Sequence, residues 1–146
     1  MNKEPIIMER TLNAAPPIVW RAITDKTEMK KWYFDISEFK AEVGFEFSFE
    51  GTNEGRTFVH LCKVTEVIPN KKLSYSWRYK DYPGISLLTF ELFAQENKTL
   101  LKLTHEGLET FPQDPPDFAR HNFVQGWTHI LDKSLKSYLE PALAAN

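Results

Sequence analysis

The spacing of apolar residues changes between the middle of this chain and its last long stretch, and that change limits what it can fold into. Between Ile36 and His105 they recur at every second position; from Phe123 to Leu139 they recur at every third or fourth. Period two describes strands with one buried face, and the longer period describes a helix with a broad apolar stripe. The stripe comprises Phe123, Trp127, Ile130, Leu131, the small Ser134, Leu135, Tyr138 and Leu139, opposite Asp132, Lys133, Lys136, Ser137 and Glu140. A helix over 117–139 spans roughly 30 Å, about the width of a small domain, so it is the natural cover for a sheet. Pro115 and Pro116 precede it, Asp114 or Asp117 can cap it, and Pro141 stops it.

Taken in order, residues 5–13 alternate as a first strand, with Ile6, Met8 and Leu12 on one side. Ala14 to Pro17 open a short helix with Ile18, Val19, Ala22 and Ile23 on its apolar face. A second short helix follows from Asp25, where Asp25 and Glu28 stand in capping-box spacing. From Ile36 the alternation predicts a strand through Phe39, Ala41 and Val43, then one through Phe45, Phe47 and Phe49. Residues 51–55 (GTNEG) predict a hairpin loop, and 56–68 a long strand whose inward set keeps one phase only with a bulge. Leu73, Tyr75, Trp77 and Tyr79 alternate most clearly; Leu88, Phe90 and Leu92, then Leu101, Leu103 and His105, follow after short turns. Short turns between successive strands dictate antiparallel pairing. The expectation is an α+β fold: a strand, two short helices, six antiparallel strands and a long helix, in a single domain over residues 1–146.

Composition narrows the function. The chain has 146 residues and a net charge of −2 with interspersed signs, which argues against a nucleic-acid or anionic-membrane surface. Cys62 is the only cysteine, the N-terminus lacks a signal-like apolar run, and no stretch approaches the roughly 20 apolar residues of a membrane span. A cytoplasmic location is expected. Aromatic residues make up 14% of the chain, enough to line an apolar pocket as well as a core.

Several segments together resemble one family. They are Asn13-Ala14-Ala15-Pro16 through Val19-Trp20, then Ala22-Ile23-Thr24-Asp25 and Trp32; Val64 to Pro69; Leu73 to Trp77; Thr99 to Gly107; and Gly126-Trp127 ahead of Leu131, Leu135 and Tyr138-Leu139. The ordered set is similar to the C-terminal domain of the activator of the 90-kDa heat-shock protein ATPase, within the SRPBCC or START-like superfamily. That resemblance implies a helix-grip fold, in which a curved antiparallel sheet wraps the C-terminal helix and leaves an apolar cavity. It also implies an association with stress response.

The residues expected to line that cavity are Trp32, Phe47, Phe49, Tyr75, Trp77, Tyr79, Phe90, His105, Phe123, Trp127 and Leu131. Trp32, Tyr33 and Phe34 end the second helix at the mouth implied by the fold, either as a gate or, preferably, as a staple between helix and sheet. Gly126 inside the helix costs about 1 kcal/mol relative to alanine, so close helix–sheet approach or room for a ligand should explain it. His60 and His105 lie on strands and can face inward, where a carboxylate such as Glu66 or Glu91 would make an acid–base pair. His121 and His129 lack a third ligand for zinc. No nucleophile elbow, phosphate loop, CxxC or HExxH occurs. The loop 106–117, with three prolines, is either a lid or a stiff connection.

The preferred expectation is a non-catalytic carrier or sensor of a small hydrophobic ligand, with no catalytic residue, metal or cofactor. The alternatives are a cyclase-like or hydrolase-like enzyme using an inward His, Tyr or Glu, and a chaperone-interaction module. Contact with a chaperone and a homodimer stay open as partners; nucleic acid and a membrane span do not.

Overall fold

The computed structural model describes residues 4–36, 38–53, 55–112 and 118–139. Its elements are β1 (Ile6–Leu12), α1 (Pro16–Thr24), α2 (Lys26–Trp32), β2 (Glu46–Asn53), β3 (Arg56–Ile68), β4 (Lys72–Tyr79), β5 (Ser86–Gln95), β6 (Lys98–Glu106) and α3 (Arg120–His129). From α3 the chain continues through a π-helical stretch, Ile130–Leu135, into a last α-turn, Lys136–Leu139. The strands form one antiparallel sheet in the order β1-β6-β5-β4-β3-β2. β2 to β6 run as a meander joined by short turns, while α1 and α2 carry the chain between the two edges. This is the helix-grip α+β arrangement, a curved sheet around the C-terminal helix.

Alternation decides which side chains face the helix, and register decides their height. Phe49, His60 and Tyr79 share one cross-strand row; Phe47, Cys62, Trp77 and Ser86 share the next. Val64, Tyr75, Leu88, His105 and Ile6 make a third row, and Leu73, Phe90, Leu103 and Met8 a fourth. All of these but Met8 are buried, and burying side chains of the larger apolar kinds contributes about 1.5–3 kcal/mol each relative to exposure. The expected bulge in β3 lies between Val64 and Glu66, where the register shifts against β4. Thr65 is the extra residue, and its insertion lets Val64 face inward while Val67 still packs on the core.

Two expectations about the sheet are corrected. No strand forms over the described part of 36–43: the Glu42 N–H bonds the Lys40 carbonyl and the Phe45 N–H bonds the Glu42 carbonyl, so local turns take the groups a ladder would need. Ile36 and Phe39 anchor this segment in the core, but Val43 is 68% exposed, so its alternation was not burial. Among the described residues the sheet therefore has six strands rather than seven. The expected loop 51–55 is also shorter, because β2 and β3 stay paired out to Asn53 and Arg56. That correction places Gly51 inside a strand.

Asp25 caps α2 by accepting from the N–H groups of Thr27 and Glu28 at 2.8 and 3.3 Å. The return half of the capping box is absent. Glu28 instead pairs with Arg21 at 2.7 Å and accepts from the Tyr138 hydroxyl at 2.8 Å, tying the end of the C-terminal helix to α1 and α2. At its other end Arg120 donates to the carbonyls of Glu4 and Pro5. Between them Asp132, expected on the solvent face, meets Arg10 of β1 at 2.6 and 3.4 Å. The residues the helix buries most deeply, Trp127, Leu131 and Leu135, are spaced by four. A wider turn with i+5 bonding keeps such a spacing closer to one line than an α-turn does. The expected capping aspartates at 114 and 117, and Pro141, lie outside the described residues.

Candidate functional site

Between α3 and the end of the sheet formed by β2, β3 and β4 lies a cleft of about 500 Å³. Trp77, Tyr79, Phe58 and His60 form its sheet wall, Phe123, Gly126, Trp127 and Ile130 its helix wall, and Phe34 and Phe118 its sides. Thr52, Asn122, Gln125 and His129 stand at its rim.

The sheet wall is held by ring contacts and directed hydrogen bonds. His60 stacks on Phe49 with centroids 4.4 Å apart and planes 14° apart, and meets Trp77 edge-on at 4.8 Å. The Trp77 indole donates to the Tyr79 hydroxyl at 2.9 Å. Tyr79 packs in turn on Phe111 and Phe118 at 5.2 and 4.5 Å, which are the anchors of the loop after β6. In that loop Thr110 bonds the backbone of Ile85 and Gly107, so its described part is stapled to the turn before β5; residues 113–117 lie outside the described set.

Gly51 is part of this wall because of His60. A Cβ on Gly51 would come 2.8 Å from His60 Cε1 and 3.6 Å from Nε2, closer than the imidazole can accept without moving. Glycine inside a strand often marks such an approach. His60 Nδ1 lies 3.1 Å from the Phe58 carbonyl, which only accepts, so Nδ1 carries the hydrogen and Nε2 the lone pair. Burial lowers the pKa of His60 to about 4, against the raising effect of the Phe58 and Phe49 carbonyls.

His105 is a different kind of histidine. The Trp127 indole donates to its Nδ1 at 3.1 Å, so Nε2 carries the hydrogen and donates to Ser86 Oγ at 2.8 Å, and Ser86 passes its own proton to the Trp77 carbonyl at 3.0 Å. Burial lowers the His105 pKa to about 3. Both ring nitrogens are engaged, Nδ1 with the helix and Nε2 within the sheet. Neither carboxylate weighed as a partner reaches it: Glu66 pairs with Lys72 at 3.1 Å, and Glu91 lies between the inward Phe90 and Leu92.

Of the residues expected to line a cavity, Trp77, Tyr79, Phe123 and Trp127 border the cleft. Trp32, Phe47, Phe49, Tyr75, Phe90, His105 and Leu131 are buried in the packing beside or beneath it. Trp32 donates to the Ala22 carbonyl at 2.8 Å, and the Tyr33 hydroxyl meets the Tyr75 hydroxyl at 2.8 Å while its ring stacks on Trp127 at 6.2 Å. These two residues are a staple; Phe34, stacked on Phe49 at 4.4 Å, reaches the cleft. Sequence reasoning missed Phe58, Phe118 and Gly51 as wall residues. Gly51 did carry a signal, since it falls at the inward position after Phe45, Phe47 and Phe49. Close approach of helix to sheet does not explain Gly126, because a Cβ there would meet nothing within 4 Å.

Burial raises the Cys62 thiol pKa well above its usual value, which keeps it protonated and unreactive. Among the described residues no group of three His, Cys, Asp or Glu side chains is placed to hold a metal ion. None of their helices is long and apolar enough to cross a membrane.

The family model for Activator of Hsp90 ATPase homolog 1-like protein matches residues 13–140. The chain belongs to this family. Its members are in general ligand-binding domains. Protein CV1439 from Chromobacterium violaceum is similar at 26% identity and a TM-score of 0.80, over 94% of this chain and 98% of that one. MLL2253 from Mesorhizobium loti is similar at 28% identity and a TM-score of 0.76, with the same coverages of 94% and 98%. CalU16 from Micromonospora echinospora, at 22% identity and a TM-score of 0.70 over 97% of this chain and 79% of that one, shares the fold. No curated protein sequence matches the chain.

Proposed function

We propose that this protein binds a small hydrophobic molecule in the cleft between α3 and the β2–β4 end of the sheet, as a carrier or sensor that leaves it chemically unchanged. The observation that carries this is the cleft itself: about 500 Å³, within the usual range for small-molecule sites, and walled by aromatic rings. Gly126 is consistent with it, because this exposed helix position lines the cleft and an added Cβ would meet nothing within 4 Å.

The absence of chemistry rests on the inward titratable groups. A general acid or base works best with a pKa near the working pH. His60 is held down to about 4, and His105 has both nitrogens committed to Trp127 and Ser86. The Cys62 thiol is held in its protonated form by burial.

Native mass spectrometry of gently purified protein, compared with its denatured mass, tests the proposal. Non-covalent extra mass that disappears on denaturation, and is missing from Gly126→Phe, is the expected result. No extra mass, together with no thermal stabilisation by a panel of hydrophobic and aromatic compounds, would overturn it.

A further inference from the structure

We infer that the cleft selects an uncharged aromatic ligand bearing a hydroxyl group, and that His60 and Tyr79 hold that hydroxyl at the sheet wall. The inference rests on the carrier reading above and names the class of molecule carried.

His60 and Tyr79 are direct cross-strand neighbours, with ring centroids 4.8 Å apart, and both line the cleft. Each offers one half of a hydrogen-bonding pair. His60 spends its Nδ1 hydrogen on the Phe58 carbonyl and is left with the Nε2 lone pair. Glycine at position 51 puts no side chain from β2 against the Cε1–Nε2 edge of that ring, where a Cβ would come 2.8 Å from Cε1. Tyr79 accepts the Trp77 indole hydrogen and still has its own hydroxyl proton to give. An acceptor and a donor side by side match a hydroxyl group, which gives one hydrogen and takes another.

The rest of the lining sets the charge. None of the cleft's described residues is Lys, Arg, Asp or Glu. A carboxylate placed there would lose its water with no cation to replace it, whereas a plain hydrocarbon would leave the Tyr79 proton and the His60 lone pair without partners. The ring faces of Phe58, Trp77 and Trp127 suit a flat apolar body.

Equilibrium dialysis at pH 7 with three probes of one shape, 2-naphthol, naphthalene and 2-naphthoate, tests this. Binding of 2-naphthol should be about tenfold tighter than that of either other probe, the order expected for one well-placed hydrogen-bonding group. Tyr79→Phe should erase the margin of 2-naphthol over naphthalene. If that variant folds poorly because Trp77 loses its acceptor, the ranking on the unaltered protein still decides. Naphthalene or 2-naphthoate binding as tightly as 2-naphthol would overturn the inference and leave the carrier reading standing. Binding of none of the three, with no co-purified mass, would overturn both.

Discussion

The indole N–H of Trp127 meets Nδ1 of His105 across 3.1 Å, and this one bond sets which nitrogen of a fully buried histidine carries the hydrogen. It also joins the middle of the C-terminal helix to β6. Trp127→Phe keeps an aromatic ring but leaves His105 Nδ1 buried and unpaired, which is expected to cost about 1–3 kcal/mol. Urea unfolding measures it. A change near zero would mean that ring packing, not the hydrogen bond, holds the helix there.

Acid should destabilise the protein in a window set by its two buried histidines. In the unfolded chain each takes up a proton near pH 6.5, whereas in the folded protein His60 does so only near 4 and His105 near 3. Below pH 6.5 the unfolded state therefore binds more protons, and stability falls as pH falls. The loss approaches about 1.4 kcal/mol per pH unit for each histidine, ending near pH 4 for one and near pH 3 for the other. Unfolding curves at pH 7, 6 and 5 should show it, with a shallower decline in His60→Gln. Equal slopes in the two proteins would remove His60 from this account.

Replacing Gly126 by alanine should stabilise the fold by about 0.5–1 kcal/mol, since helical backbone accepts a Cβ and nothing stands in its way. A raised thermal midpoint with ligand binding retained is the expected result. A lowered midpoint would show that the helix needs glycine for a reason other than space.

Gly51→Ala should act in the opposite direction. Its Cβ would come 2.8 Å from His60 Cε1, so the imidazole must tilt off Phe49, at an expected cost of about 1–3 kcal/mol. Shifted ring resonances of His60 in the NMR spectrum would accompany a lower urea midpoint. Unchanged resonances would show that β2 itself moves instead.

Much of the architecture was legible because burial imposes a period. Leu73, Tyr75, Trp77 and Tyr79 alternate in sequence and are all buried on one face of β4. The awkward phase of β3 announced the bulge at Thr65. The segment around Val43 misled, because alternation counts side chains and says nothing about whether a partner strand is there to pair. The cleft was only half legible for a related reason. Alternation tells which face Phe47 and Tyr79 share, but their depth depends on register with distant strands, and that leaves Phe47 packed against Phe39 and Tyr75 while Tyr79 borders open space. His60 could be placed inward only once the bulge had been located beyond it.

The pairing of β1 with β6 has a consequence for how the molecule comes to exist. Ile6 sits opposite His105, so the first strand must wait for a partner made far later in synthesis. Arg10 and the carbonyls of Glu4 and Pro5 wait longer still, for Asp132 and Arg120. Closing a loop of that length comes before any of these contacts can reward it, so folding should be slow for a chain of this size. Until the last helix has left the ribosome, the nascent meander presents its aromatic face uncovered, which makes this the stage most exposed to aggregation.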